Sequence, residues 1–511
     1  MSKIDVTVIG LGAAGLATQA LLAKAGLRVV GIEKRHKVGG LLSSFNRGGV
    51  PLVNLAGSFI AGTHETGFFG RFLRHIDAYR HVEFVKLPNN GRFVFEDRVV
   101  ETKIDRGEVV AELQARYPGE REAIAEFYAL CHELAGELID FTLSEKTIGF
   151  FATFPFRFPK LIRYGSKSIG DVLTKRFRSP RLIAEILAPL SCYIPLDLYP
   201  VSFATASMMI DVSHTSGFSF VNGGTFRLAE AMQTAIEAAG GELRLGSGVS
   251  AVRRDGDGYR VELESGEQIR SRFVVSCVDS FQTYRRLVPD GALPRSLAKK
   301  LDTFERMPAY CATYFATTKS PHEHGIQQGM NAWFPGDDAR QWFPNDWETA
   351  LFGASHSYSL YSLAAPGSIF LEEGVYPLMM VKPVPSDYPS DIDTRKREVI
   401  ERNKAQLSRL IPDLEQNLVL EDAFLPTDFA RFASLPRGEL AWMPYPTYSG
   451  PNAIGPKTPW KGFLTAGQWS PPGQGTFCCV LSGMEACRVI FRQIGMRGEA
   501  ERLLDIGEAL R

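Results

Sequence analysis

The 511-residue sequence predicts a mixed α/β fold, a Rossmann-like dinucleotide-binding domain interrupted by an inserted, discontinuous domain with a mixed or antiparallel sheet and helices. Three observations predict it. A strand, glycine turn, helix and second strand open the chain between Ile4 and Gly40, a glycine pair at Gly223-Gly224 opens a helix in mid-chain, and a strand, glycine and helix recur between Gly462 and Val489. Elements of one nucleotide-binding layer that lie this far apart force a split domain. Residues 1–90, 215–290 and 425–511 are therefore expected to form it, with 91–214 and 291–424 forming a substrate-binding domain.

Ile4, Val6, Val8 and Ile9 form a short β-branched run of the kind a buried strand uses, and Gly10-Leu11-Gly12-Ala13-Ala14-Gly15 follows at once. Gly10 permits the tight turn, Gly12 lets backbone approach a pyrophosphate, and Gly15 lets the next helix press on the sheet. That helix has an apolar face at Leu16, Ala17, Ala20, Leu21 and Ala23, and its positive end points at the phosphates. Gly26 is expected to end it, and Leu27 to Ile32 reads as the second strand. Glu33 closes that strand 18 positions after Gly15, where the fingerprint places the acid that binds a ribose hydroxyl. A carboxylate there repels the extra phosphate of NADP, leaving FAD or NAD.

Glu33-Lys34-Arg35, then Val38-Gly39-Gly40-Leu41, then Val53-Asn54-Leu55-Ala56-Gly57-Ser58-Phe59-Ile60 resemble the opening of the phytoene desaturase and carotenoid isomerase family, within the wider amine-oxidase-like flavoproteins. The resemblance implies a double glycine, Gly39-Gly40, facing FAD. It also implies an Asp-x-Gly element, which this chain writes as Asn54-Leu55-Ala56.

Formal net charge is zero, 57 basic against 57 acidic residues, so no overall basic footprint for nucleic acid exists. Seven cysteines without a CxxC pair suit a reducing cytoplasm and read as small buried apolar residues. No signal peptide is expected, because glycines, Lys24 and Arg28 interrupt the apolar N-terminal stretch. No run reaches the roughly 18 apolar residues of a spanning helix. The expected location is cytoplasmic, with peripheral contact at the inner face of a membrane left open. His64-Glu65 and His132-Glu133 lack a second His at metal-binding spacing, and no metal site is predicted.

Short strands at Arg92 to Phe95 and Asp97 to Val100 precede a helix from about Glu120 to Leu143, whose Ala123, Phe127, Leu130, Leu134 and Leu138 share a face. From Phe150 the composition changes. Phe150, Phe151, Phe154, Phe156, Phe158 and Tyr164 are interleaved with Arg157, Lys160 and Arg163, and residues 157–181 hold eight basic side chains and one acid, Asp171. Rings that enter a headgroup boundary beside cations that meet anionic lipid make an interfacial segment of 150–181. A domain-packing aromatic cluster beside a solvated helix face is the alternative. Pro155 and Pro159 are expected to break any long amphipathic helix there.

Gly217 to Thr225 returns the chain to the first domain, followed by a helix bearing Leu228, Ala231, Met232, Ala235 and Ile236, a strand from Glu242 to Leu245, and Val249. By resemblance, Val249 contacts adenine through its backbone, and the strand Phe273 to Ser276 ends in a sequence, Ser276-Cys277-Val278-Asp279, that the family writes Asn-Ala-Asp. Residues 290–425 carry no chemical motif. Their alternating Ser355 to Tyr361 predicts a strand with one aromatic face, and His322 and His324 read as a polar loop.

Near the end, Gly462 to Trp469, the turn Pro471-Pro472-Gly473-Gln474-Gly475-Thr476, and a helix through Ala486 and Val489 supply a second set of backbone donors, which fits FAD rather than NAD. The resemblance implies that Gly467 lies by the pyrophosphate or ribityl chain, that Gln468 replaces the usual Asp with a neutral amide, and that Gly475 and Thr476 lie beside the isoalloxazine. No GxSxG elbow, P-loop or HExxH appears, so the flavin is left to carry the reaction. By resemblance the substrate is a long apolar polyene, retinoid or unsaturated acyl chain, and the reaction desaturation, saturation or double-bond isomerisation. No catalytic acid or base is assigned. Two rivals stand beside this: an amine oxidase, for which Trp469 and Tyr448 would supply an aromatic pair, and a prenyl-lipid carrier resembling the dissociation inhibitors of small GTPases.

Overall fold

Strand Ile4–Ile9 sits in the middle of a sheet, buried on both faces: Val6, Thr7 and Val8 are fully buried. A computed structural model describes residues 4–510 except 48–49, 53–58, 145–147, 192, 195–196, 288–292, 303–304, 354–356, 364–367, 373, 436, 439–441, 444–453, 471 and 474. The Asn54-Leu55-Ala56 element, Ser355, Tyr448, Pro471 and Gln474 thus lie outside the described residues.

The first sheet runs Glu242–Arg244, Val29–Ile32, Ile4–Ile9, Gln268–Ser276, Gly258–Leu263, Val249–Asp255. Its first four strands are parallel and the last two form an antiparallel excursion. Phe463–Thr465 pairs in parallel with Val274, Val275 and Ser276, so the strand that delivers Gly467 belongs to the same sheet as the strand that delivers Gly10. Helix Ala13–Lys24 packs on this sheet against Phe226–Ala238 and Thr476–Gln493. Gly483 makes the second of these crossings close, since a Cβ there would stand 2.8 Å from Thr18 Oγ1 and 2.9 Å from the Ala14 carbonyl.

The inserted segments build a second sheet in the order Leu418–Phe424, Ala309–Thr317, Tyr376–Val384, Tyr358–Ser362, Gly329–Trp333, Arg92–Val94, Val99–Glu101. It is antiparallel except where Gly329–Trp333 meets Arg92–Val94. Helices Arg121–Leu143, Pro180–Ser191 and Phe203–Ser216 share a core with it through Phe127, Leu134, Leu187, Phe203 and Phe334. Phe218–Val221 joins Ile60–Ala61 and Phe84–Lys86 in a small antiparallel sheet.

The stretch is divided into two short helices, as expected of its prolines, but the break falls at Pro159 and not at Pro155. Pro159 starts a helix, Pro159–Tyr164, as a residue without a backbone donor does well, but Pro155 lies inside Ile148–Arg157. That helix tolerates the lost hydrogen bond because Phe150, Phe154 and Phe158, spaced one turn apart, stack on each other and on Phe141 with ring centroids 5.2–6.0 Å apart. Among the described residues no helix is long and apolar enough to cross a membrane, and no group of three His, Cys, Asp or Glu side chains is placed to hold a metal ion.

Candidate functional site: a cavity with one charged and one apolar part

The carboxyl ends of the parallel strands open into a crevice, the usual ligand position in such sheets. The three fingerprint glycines do different things there. Gly10 has φ +87°, and a Cβ on it would stand 2.7 Å from Val278 Cγ1. A Cβ on Gly15 would stand 1.9 Å from the Gly10 carbonyl oxygen, so Gly15 serves helix-to-turn packing. At Gly12 the nearest protein atom to such a Cβ is the Gly39 carbonyl oxygen, 3.8 Å away. The protein itself leaves that volume open.

Glu33 is held half-buried at the rim, its carboxylate accepting from the Leu11 N–H at 2.9 Å and the Arg35 N–H at 3.0 Å. Spare lone pairs remain for hydroxyl donors. Arg35 stacks its guanidinium 3.3 Å from the Phe432 ring centroid and donates to the Phe432 carbonyl at 2.8 Å. Burial lowers its pKa, and the neighbouring Glu33 acts in the opposite sense. Lys34 forms an exposed ion pair with Glu264 at 3.8 Å.

A cavity of about 890 Å³ runs from this rim into the inserted segments. Gly10, Gly12, Ala13, Ala14, Glu33, Lys34, Arg35, Gly39, Gly40, Leu41, Val249, Gly467, Gln468, Gly475 and Thr476 all line it, and of the sequence-selected residues only Gly15 stands behind the wall. Two helices begin at the cavity, Ala13–Lys24 after Gly12 and Thr476–Gln493 after Gly475, neither with a side-chain cap. Their first backbone N–H groups are therefore available to an anionic or carbonyl-bearing ligand. Gly40 packs on Gly12, where a Cβ would come within 3.2 Å of its Cα, and Gly467 at φ +112° brings its backbone against Ala14.

Sequence reasoning found no residue of the substrate part, and it treated three wall residues as mere filler. Cys277, Cys478 and Cys479 line the cavity. Burial pushes the Cys277 and Cys478 thiols up to about 12 and raises Cys479 as well, with Cys478 and Cys277 adding to it. These thiols stay protonated at neutral pH. From the inserted segments come Tyr193, Met208, Met209, Phe334, Phe343 and Tyr361, among others. Among the described residues every charged lining residue, Glu33, Lys34, Arg35, Glu264, Asp279 and Arg286, comes from 1–90 or 215–290. Trp469 is on the wall, while Tyr448, its suggested aromatic partner, is outside the described residues.

A dinucleotide fits what is here: a glycine cradle kept empty by the protein, an acid fixed at the rim and two uncapped helix starts. Comparison with known proteins agrees. The family model for flavin-containing amine oxidoreductases matches residues 13–491. The chain is 23% identical over 525 residues to the chloroplastic prolycopene isomerase of Arabidopsis thaliana, covering 99% of this chain and 85% of that one. It is 28% identical over 306 residues to the 4,4'-diapolycopene oxygenase of a Methylomonas species, covering 59% and 60%. In fold it is similar to putrescine oxidase solved with putrescine bound, with a TM-score of 0.65, 16% identity, and coverage of 96% of this chain and 99% of that one.

Proposed function

Because the chain belongs to the flavin-containing amine oxidoreductase family and is an FAD-dependent oxidoreductase, we propose that it acts on a long apolar unsaturated substrate, a carotenoid-like polyene, retinoid or unsaturated acyl chain, by desaturation, saturation or double-bond isomerisation. The distribution of charge along the cavity carries this: among the described residues the inserted segments contribute aromatic, Met, Ala and hydroxyl side chains to the wall and no charged one. An amine substrate is a cation at neutral pH, and burying it there without a counter-charge is costly. The relatives named above for their work on polyenes point the same way.

FAD, when bound, supplies hydride exchange at its ring. The chain's own residues do the rest. We assign Gly10, Gly12, Ala13, Ala14 and the Ala13–Lys24 helix start to the pyrophosphate, Glu33 to ribose hydroxyls, Lys34, Arg35 and Val249 to the adenosine end, and Gly39, Gly40, Leu41, Gly467, Gln468, Gly475 and Thr476 to the ribityl and ring end. Gly15 acts through packing. Residues 1–90, 215–290 and 425–511 then constitute the FAD domain, and 91–214 with 291–424 the substrate domain, whose apolar wall excludes water from the reacting double bonds.

A polyene is nearly insoluble and has to be collected from a bilayer or carrier. Phe156, 87% exposed, and Ile162, 51% exposed, project from the two helices at Ile148–Tyr164 beside the exposed Arg157, Arg163 and Lys167. Apolar side chains ringed by cations fit an anionic lipid surface. We place peripheral membrane contact there.

The function is tested by mixing the flavin-loaded enzyme anaerobically with a panel of polyenes and a panel of amines, following flavin absorbance and analysing the extracted products. Polyenes are expected to change the flavin spectrum or to be converted. If only amines do so, the amine oxidase replaces this proposal.

A further inference from the structure

Helix Pro426–Ala433 reaches from the inserted segments across to the nucleotide-binding ones. Its base is rooted in the former. It follows the edge strand Leu418–Phe424 of the second sheet, Thr427 Oγ1 donates to the Asp393 carboxylate, Arg431 pairs with the same carboxylate at 2.7 Å, and Phe429 is fully buried. Its last turn stands over the cavity. Ala430, Phe432, Ala433 and Ser434 line the same wall as Glu33 and Gln282, and Ser434 is exposed on the outer side.

The carbonyls at a helix C-terminus have no partner within the helix. Here side chains from remote segments take them: Arg35 donates to the Phe432 carbonyl at 2.8 Å, and Gln282 Nε2 donates to the Ser434 carbonyl at 2.5 Å. The Arg35 cation also complements the negative end of the helix. Its guanidinium stands 3.3 Å from the Phe432 ring centroid, and the Phe45 ring meets Phe432 edge-on at 5.6 Å. Ser434 ends the helix with φ +54°, a left-handed conformation that serine seldom takes. The turn is therefore held by its contacts rather than by its own preference.

Arg35 joins this turn to the acid at the rim. Its backbone N–H donates to the Glu33 carboxylate at 3.0 Å while its side chain holds Phe432, so a ribose bound at Glu33 would lie next to the turn. Base and tip differ in how firmly they are held. The base is buried in its own half of the molecule, whereas Arg35 and Gln282 are half-buried and hold the tip through polar contacts that water can replace. A segment tied in this way opens locally at small cost and closes again.

We propose that the last turn of Pro426–Ala433 is a clasp over the dinucleotide: Arg35 and Gln282 hold it shut across the adenosine end, it parts for FAD to enter or leave, and the Arg35 side chain belongs to that end as the latch of the clasp rather than as a ligand of the cofactor. This rests on the placement of the adenosine ribose at Glu33 and adds the means by which that site opens.

The test dilutes the FAD-loaded enzyme and reads two quantities, the release rate from the rise of free flavin fluorescence and the Kd from the occupancy left at equilibrium. A clasp slows entry and release alike, so loosening it changes the rates and spares the Kd. Arg35→Ala is expected to release FAD about tenfold faster, the scale of one hydrogen bond to a charged group, with a Kd within about threefold of wild type. Gln282→Ala should shift release in the same direction by about threefold, and Arg35→Lys, which keeps the cation, should fall between wild type and Arg35→Ala. Release and Kd rising in proportion in Arg35→Ala would make Arg35 a direct ligand and overturn the clasp. Release unchanged in both Arg35→Ala and Gln282→Ala overturns it too. Should Arg35→Ala fail to fold, Arg35→Lys and Gln282→Ala decide by the same two readings. Glu33→Gln is expected to raise the Kd, and an unchanged Kd there rejects the ribose placement itself, and this proposal with it.

Discussion

At the scale of single residues, Gly12 and Gly15 separate cofactor binding from folding. The protein leaves the Cβ position of Gly12 open, so Gly12→Val is expected to fold with little change in melting temperature yet to lose flavin absorbance, since its side chain occupies the pyrophosphate volume. Gly15→Ala is expected to be destabilised as well, because its Cβ would stand 1.9 Å from a carbonyl oxygen. A folded Gly12→Val protein with full flavin occupancy would overturn the assignment. His214 offers a second residue-scale measurement. Burial lowers its pKa from 6.5 to about 4, against the opposing effect of its contact with the Lys103 carbonyl at 3.1 Å. The folded value lies below the unfolded one, so the unfolded chain binds more protons between the two, and stability falls as pH drops from 6.5 towards 4, by about 3 kcal/mol for this group. Urea unfolding of wild type and His214→Gln across that range should give a shallower pH slope in the variant, and equal slopes would exclude His214 as a contributor. Gly10, Gly12 and Glu33 were legible in the sequence because their spacing along one β-α-β unit is itself the chemistry. The tie from Arg35 to Phe432 was not, because it joins segments 397 residues apart.

At the scale of elements, the Ile148–Tyr164 helices divide their aromatic residues. Phe150 and Phe158 are buried and Phe154 half-buried in a ring cluster, whereas Phe156 and Ile162 project outward. Of the cations there, Lys160 is engaged by Glu133 at 3.1 Å, Arg176 by Glu126 at 2.8 Å, and Arg181 by Asp97. The packing reading describes Phe150, Phe154 and Phe158, and the interfacial reading proposed above rests on Phe156 and Ile162. Flotation with anionic liposomes at low salt is expected for wild type, weakening as salt screens the charges. Lys160→Ser, Arg163→Ser and Lys167→Ser together should weaken it, the exposed Arg163 and Lys167 each contributing about 1 kcal/mol near the surface, and adding Phe156→Ser should weaken it further with flavin retained. Equal flotation of wild type and variants, or none by either, would leave these helices a packing role only. Composition made the segment visible, but the sorting of rings into inside and outside needed the helical phase around Pro155, which the proline rule alone misjudged.

At the scale of the whole molecule, the crevice assigned to FAD is lined from both ends of the chain. Phe463–Thr465 completes the parallel sheet, and Thr476–Gln493 covers the helix that follows the glycine turn. A chain ending at residue 460 would leave Leu16, Ala20 and Leu21 without much of their cover and the ring end of the cavity without Gly467 and Gly475. It is expected to be recovered as flavin-free aggregate, and a soluble yellow product would contradict this picture of the crevice. The glycine motifs made the nucleotide-binding layer readable across these distances, since each keeps its own local signature. The second sheet has no such marks. Its four central strands align by register alone, and register between remote segments leaves no trace in one sequence.

The close crossing at Gly483 also sets a schedule for synthesis. Cys487 Sγ donates to the Thr18 carbonyl at 3.5 Å across 469 residues. At the pace of translation the first helix waits roughly half a minute to a minute and a half before its covering partner exists. Through that interval an apolar helix and an open sheet edge stand unprotected beside the ribosome, where unpaired edges favour aggregation. A flavin site that needs this covering helix is therefore expected to be completed only after residues 476–493 have emerged.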